Sequence, residues 1–340
     1  VSTFVGIDLG GTKVAAAVLH ATAPGGSGEG ARLSATLQHP TELGSTEALV
    51  QQLATIIESA RDTLGGGRLD AVGIGVPSVV DFASGRVIHS VNIPLTNVPL
   101  RAVLGERLGV PIYVDNDATV AALAEAHDAD LHLVSQHLVM LTIGTGVGGG
   151  LVLNGRIYRG STGGAAEVGH TLIGLPIAPA WPARPAFPSG LPHDFPKAGE
   201  TMPQPGSLEA LASGHALDHL TVAAGLGEHG IHATEAARAG SPEGEALIRR
   251  WAHAIGVGIA NAINLFDPQE VVIGGGAAAA GDLFMAQAVD FAEGYVHPGL
   301  LGHANVRLAR FGPEAGVMGA ALLAAYEYHD EPVVAAGAGD

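Results

Sequence analysis

Phe4-Val5-Gly6-Ile7-Asp8-Leu9-Gly10-Gly11-Thr12-Lys13-Val14-Ala15-Ala16-Ala17-Val18-Leu19 decides how this chain is read. Phe4 to Leu9 reads as a buried strand, Gly10 to Lys13 as a tight turn, and Val14 to Leu19 as a second strand. This differs from a nucleotide P-loop, where the glycine loop opens a helix. The pattern returns at His137 to Ile143, with Gly144-Thr145-Gly146-Val147-Gly148-Gly149-Gly150 as the turn and Leu151-Val152-Leu153 as the following strand. The repeat implies an internal duplication, one β-rich half near 1–135 and another from about 136.

Between and after these hairpins the pattern is helix and strand. Helices are expected at Ser45 to Leu64, Pro99 to Leu108 and Asp117 to Ala126, and strands at Ala71 to Val76 and Pro111 to Val114. Pro176 to Pro205 holds nine prolines and almost no periodicity, so it reads as an extended surface loop. Helices resume at Leu208 to Leu211, His215 to Ala224, Thr234 to Ala239 and Pro242 to Phe266. Strand Glu270 to Ile273 leads into Gly274-Gly275-Gly276 and a helix near Asp282 to Glu293. A last helix covers Glu314 to Tyr328, and the tail from Asp330 reads as loose.

Length and composition bound the function. The 340 residues suggest two domains, and 47% apolar residues argue against extended disorder. Sixteen Lys and Arg face 33 Asp and Glu, a net charge of −17. A nucleic-acid binder needs a cationic footprint, and none is visible. The same charge works against polyphosphate and anionic membranes. The absence of cysteine excludes disulfides, thiolate catalysis and cysteine-ligated zinc. No apolar run is long enough to span a bilayer and no leader-like stretch opens the chain, so a cytoplasmic protein is expected.

Three clusters can carry chemistry. The two Gly/Thr turns suit a phosphate chain: glycine admits close backbone approach, threonine adds a hydroxyl, and N–H groups supply positive ends. The 274–276 cluster, again after a strand, strengthens that reading, and Asp8 at its strand end is placed to hold a hydrated Mg²⁺. Asp115-Asn116-Asp117 lies at a strand-to-helix junction, where one polar residue suffices as a cap and three are present; a general base is expected among them. Gly163-Gly164-Ala165-Ala166-Glu167-Val168-Gly169-His170 sets one acid and one imidazole among small residues, an arrangement able to hydrogen-bond a polyol.

In this order the motifs resemble those of the ROK family (repressors, open reading frames and kinases), within the actin/hexokinase-like superfamily. Ile7 to Lys13 resembles the first phosphate motif and Ile143 to Gly150 the second. Asn116-Asp117-Ala118 resembles the catalytic motif, Glu167-Val168-Gly169-His170 the sugar-binding motif, and Leu208 to Gly214 a segment with a further sugar-binding Glu. Asn264 to Pro268 and Gly274 to Gly276 resemble the nucleotide-side motifs. The resemblance runs from about residue 4 to about 328.

It implies an α/β, two-lobed actin/hexokinase-like fold, a duplicated ribonuclease H-like arrangement with an interlobe cleft. Residues 1–135 would carry the first phosphate motif and the catalytic Asp. Residues 136–328 would carry the second phosphate motif, the sugar segment and the nucleotide side, with a loose tail at 329–340 and the last helix packed back on the N-terminal lobe. The implied activity is ATP- and Mg²⁺-dependent phosphorylation of a hexose, glucose at C6 first, with mannose, fructose, allose and N-acetylhexosamines as alternatives. Asp117 would be the base. Asn116, Glu167, His170 and Glu209 would bind the sugar, with Asn92 beside them. Asp8, Gly10, Gly11, Thr12, Lys13, Gly144, Thr145, Gly146, Gly274 and Gly275 would serve ATP and Mg²⁺. A homo-oligomer, dimer or tetramer, is also implied.

One departure is clear. The family's zinc site uses the motif His and three cysteines. His170 is present, but Met202 and Ser207 stand at cysteine positions, so no zinc is expected. A non-catalytic sugar sensor, repressor or degenerate kinase of the same fold is the competing reading. It is disfavoured by Asp117, by both phosphate turns, and by a first phosphate motif that begins at Gly6.

Overall fold

The computed structural model describes residues 2–21, 31–64, 67–90, 92–174 and 202–330. Residues 22–30, most of the proline-rich segment and the tail past Asp330 lie outside the described residues.

In chain order come β1 (Ser2–Leu9), β2 (Lys13–Ala21), β3 (Arg32–Leu33), β4 (Leu37–Pro40), α1 (Thr46–Asp62), β5 (Ala71–Val76), β6 (Ser78–Asp81), β7 (Arg86–Ser90), α2 (Leu100–Leu108), β8 (Ile112–Asn116) and α3 (Asp117–Glu125). There follow β9 (Leu138–Ile143), β10 (Val147–Leu153), β11 (Arg156–Ile157), α4 (Leu208–Ala212), α5 (Gly214–Ala223), α6 (Gly230–Arg238), α7 (Pro242–Phe266), β12 (Glu270–Gly274), α8 (Gly281–Glu293), β13 (Asn305–Leu308) and α9 (Ala315–Asp330). One sheet is ordered β3-β2-β1-β5-β8, with β4 also on β2. The other is ordered β11-β10-β9-β12-β13, and β6 pairs with β7 alone. The two larger sheets share one strand order, the duplication expected from the repeated hairpin. The fold is mixed α/β with no closed barrel. No helix among the described residues is long and apolar enough to cross a membrane.

The chain gathers into two compact units. One is Val1–Met140 with Gly149–Ala166 and Ala309–Asp340; the other is Leu141–Gly148 with Glu167–Leu308. Neither is continuous in sequence, so the division does not follow the boundaries at 135 and 328.

In the first unit β1 is antiparallel to β2 and parallel to β5, which is parallel to β8. The two-residue period of β1 sorts its side chains. Val5, Ile7 and Leu9 enter a buried cluster with Leu49, Leu53 and Ile57 of α1 and Leu100 and Leu104 of α2. Phe4, Gly6 and Asp8 face α9. Phe4 meets Tyr328 edge-on at 5.8 Å. At Gly6 a Cβ would overlap Val317 and Ala321, and at Gly316 it would run into the Asp8 carboxyl. Helix α9 thus runs back along β1, its first turn against Asp8. On β5, a Cβ at Gly73 would overlap Ala320. Glycine on the strands lets the helix backbone lie directly on the sheet.

In the second unit, α7 opens where the sequence sets its boundary. Ser241 Oγ accepts from Gly244 N at 3.3 Å and Pro242 fills the first position. The helix buries Ile248, Trp251, Ile255 and Ile259, and β12 is parallel to β13.

Candidate functional site

The first unit holds the first turn and the polar strand end. Gly10 N donates to Lys13 O at 2.9 Å and closes the turn. Thr41 pins it, its hydroxyl donating to Gly10 O at 2.7 Å and its N–H to Thr12 O at 3.1 Å. Among the described residues no protein acceptor takes the N–H groups of Gly11 or Thr12. Asn92 flanks this turn; a Cβ on Gly11 would stand 3.2 Å from that of Asn92. Asn92 is exposed, as are Thr12 and Lys13. Burial pushes the Asp8 carboxyl up to about 6, the charge of Asp117 adds to this, and Lys13 opposes it.

The three polar residues at the β8–α3 junction divide the work. Asp115 is buried; one oxygen accepts from Asn116 N at 2.9 Å and the other from Arg159 Nε at 2.7 Å. Arg159 also bonds Glu327 at 2.8 Å, and its guanidinium carbon stands 3.4 Å from the ring centroid of Phe82. Asn116 is the helix cap: its Oδ1 accepts from Ala118 N at 2.9 Å and Thr119 N at 3.1 Å. Its Nδ2 donates to Ser78 O at 3.3 Å. Asp117, the first residue of α3, has no cationic partner among the described residues, and its Oδ1 accepts from Ala118 N at 2.8 Å. Burial raises its pKa, against backbone hydrogen bonds and Asn116.

In the second unit the second turn and the segment expected to bind sugar are tied together. Glu209 Oε2 accepts from Val147 N at 2.8 Å. Gly144 N donates to Gly146 O at 2.9 Å, and Gly214 N to Gly144 O at 2.7 Å. Glu167 and His170 lie 3.6 Å apart, Oε2 to Nε2, and both are exposed enough to meet a ligand. Thr171 to Gly174 is clamped to 206–208: Leu208 N donates to Thr171 O at 2.8 Å and Ile173 N to Gly206 O at 2.9 Å. These bonds hold the two ends of the segment in which the cysteines are missing.

Gly274 ends β12, buried. Gly275 follows with φ +80, and a Cβ there would overlap the Ile143 carbonyl at the end of β9. Beside this contact opens a pocket of about 440 Å³ whose lining includes Gly144, Thr145, Asp218, Thr234 and Arg238, with Trp251 behind.

The whole run of motifs matches one family model, "ROK family", over residues 4–327. The chain belongs to the ROK family. A glucokinase of Halalkalibacterium halodurans is 31% identical over 335 residues, covering 94% of each chain. Among solved structures, the ROK hexokinase of Thermus thermophilus is 34% identical, covering 96% of this chain and 99% of that one, with TM-score 0.74. The ROK glucokinase of Streptomyces griseus, solved with glucose and AMPPNP, is 28% identical with TM-score 0.68, covering 95% and 99%.

Several residues that shape these sites in this ROK chain escaped sequence reasoning. Arg159 carries no local signal; its bond to Asp115 spans 44 positions. Thr41 and Gly316 act through contacts with Gly10 and Asp8 that only folding creates. Asp218 and Arg238 sit on ordinary helices and reach the pocket through helix packing.

Proposed function

We propose that this ROK protein transfers the γ-phosphoryl group of ATP to a hexose, glucose at its C6 hydroxyl. The observation that carries the reading is the division of roles at 115–117. Arg159 engages Asp115 and the helix start engages Asn116, so Asp117 alone keeps a carboxyl available for proton transfer. Its burial raises the pKa toward the range useful to a general base.

Asp117 accepts the proton of the C6 hydroxyl as that oxygen attacks the γ-phosphorus. The new O–P bond forms while the bond to the β–γ bridging oxygen breaks, giving hexose 6-phosphate and ADP. The open N–H groups of Gly11 and Thr12, and the turn of Gly144, Thr145 and Gly146, serve phosphate oxygens. Glu167, His170 and Glu209 bind sugar hydroxyls, with Asn116 and the nearby Asn92. The residues present suit Mg²⁺: Asp8 is an oxygen donor with no hydrogen-bonded protein partner among the described residues, and its repulsion from Asp117 is relieved by a cation. Asp8 would hold that ion, which supplies charge neutralisation on the phosphates.

Glucose is favoured because the Halalkalibacterium relative is a glucokinase and the Streptomyces griseus structure contains glucose. The test is ADP release over a panel of glucose, mannose, fructose, allose and N-acetylglucosamine with ATP and Mg²⁺. The reading expects glucose to give the highest kcat/KM. Sugar binding without turnover of any hexose would replace it with a sensor.

A further inference from the structure

The pocket beside Gly275 holds one feature that a polyanion site does not call for. Asp218 is the one carboxylate among the described residues lining it. The inference drawn from it rests on the reading of this pocket as the ATP site.

Helix α5 begins at the phosphate end, because Gly214 N donates to Gly144 O at 2.7 Å in the second turn. The helix rises 1.5 Å per residue, so Asp218 lies about 6 Å farther along. One helical turn matches the span from an α-phosphate to the ribose of a nucleotide and falls short of the base. The carboxyl is also fixed: Oδ1 accepts from Gly230 N, the first residue of α6, at 2.6 Å. Oδ2 has no protein partner among the described residues. A carboxylate only accepts hydrogen bonds, and it repels phosphate. A vicinal diol one turn beyond the phosphates offers two O–H donors to such a group.

We infer that Asp218 is a nucleotide-binding residue that accepts a hydrogen bond from the ribose 2′,3′-diol and makes the enzyme selective for ribonucleotides.

The experiment compares KM for ATP, 2′,3′-dideoxy-ATP and GTP in the wild type, Asp218→Asn and Asp218→Ala. It is paired with calorimetric binding of ADP and 2′,3′-dideoxy-ADP without sugar. Asp218→Asn keeps an oxygen for Gly230 N, so it separates diol binding from damage to the α5–α6 contact. In the wild type the dideoxy nucleotide is expected to bind about tenfold more weakly, the scale of one hydrogen bond to a charged group. In both variants ATP should weaken toward the dideoxy value, and in Asp218→Asn, which keeps the Gly230 contact, the dideoxy KM should stay unchanged. Equal wild-type KM for ATP and the dideoxy analogue overturns the inference. So does an Asp218→Asn variant that weakens both alike, or one that alters only the preference for ATP over GTP. Wild-type protein that neither uses ATP nor binds ADP overturns the parent reading as well, whereas ATP turnover blind to the diol overturns this inference alone.

Discussion

The carboxylate of Glu209 accepts the backbone N–H of Val147 at 2.8 Å, so a residue expected to bind sugar is anchored on the turn expected to bind phosphate. A Cβ on Gly146 would overlap the same carboxylate oxygen. Gly146→Ala must therefore displace Glu209. The expected outcome is a rise of about tenfold or more in KM for both sugar and ATP, since a hydrogen bond to a charged group is lost on one side and the turn is distorted on the other. Initial-rate kinetics with each substrate varied will check this. A change confined to ATP would show that Glu209 does not touch the sugar.

Asp117→Asn preserves shape and removes the proton acceptor. A loss of ~10²–10⁴ in kcat is expected with sugar affinity nearly unchanged. The base acts deprotonated and burial raises its pKa. The acid limb of the kcat/KM profile should thus fall away at a pH above the ordinary carboxylate range and vanish in the variant. A wild-type profile flat down to the pKa of a free aspartate contradicts the assignment.

Asp8 should trade stability for function. Its carboxyl, pushed up to about 6, binds its proton more tightly in the folded protein than in the unfolded chain. The stability it lends is complete below the ordinary aspartate pKa and is lost as pH rises through about 6. At neutral pH the charged group is a burden. Asp8→Asn is expected to raise the Tm of the nucleotide-free protein at neutral pH, to do so less under acid conditions, and to abolish turnover. Calorimetric melting at both pH values measures it, and a lower Tm at neutral pH would defeat the argument.

Arg159 holds Asp115, which is 3% exposed, and Glu327 together. Removing the guanidinium leaves a buried carboxyl unpaired, a loss of ~3–5 kcal/mol. Arg159→Ala should lower stability by about that amount in denaturant titration, and Asp115→Asn in the same chain should restore part of it. A loss under ~1 kcal/mol would mean that solvent reaches Asp115.

Local chemistry made much of this architecture legible. The β1 hairpin, the start of α1 beside Ser45, the start of α7 at Pro242 and the repeated turn at Gly144 all follow from neighbours within a few residues. The β6–β7 hairpin and β13 were not legible: strands of four or five residues are too short for a period to stand out in the sequence. Neither was the division of labour at 115–117. Composition there offers three polar residues for one cap, and only Arg159, brought back by the fold, shows which carboxyl is engaged. The bond between Glu209 and Val147 spans 62 positions and has the same character.

The path of α9 along β1 has a consequence for biosynthesis. The glycine-studded face of β1 and β5 is made long before the helix that covers it, which is the last described element to leave the ribosome. At ~5–20 residues per second, the nascent first unit spends many seconds with that face bare. Its early strands must wait, or be shielded, until Gly316 arrives beside Asp8. Domain-by-domain folding from the N-terminus is therefore closed to this chain, and a stop before α9 would yield a sheet that lacks its inner wall.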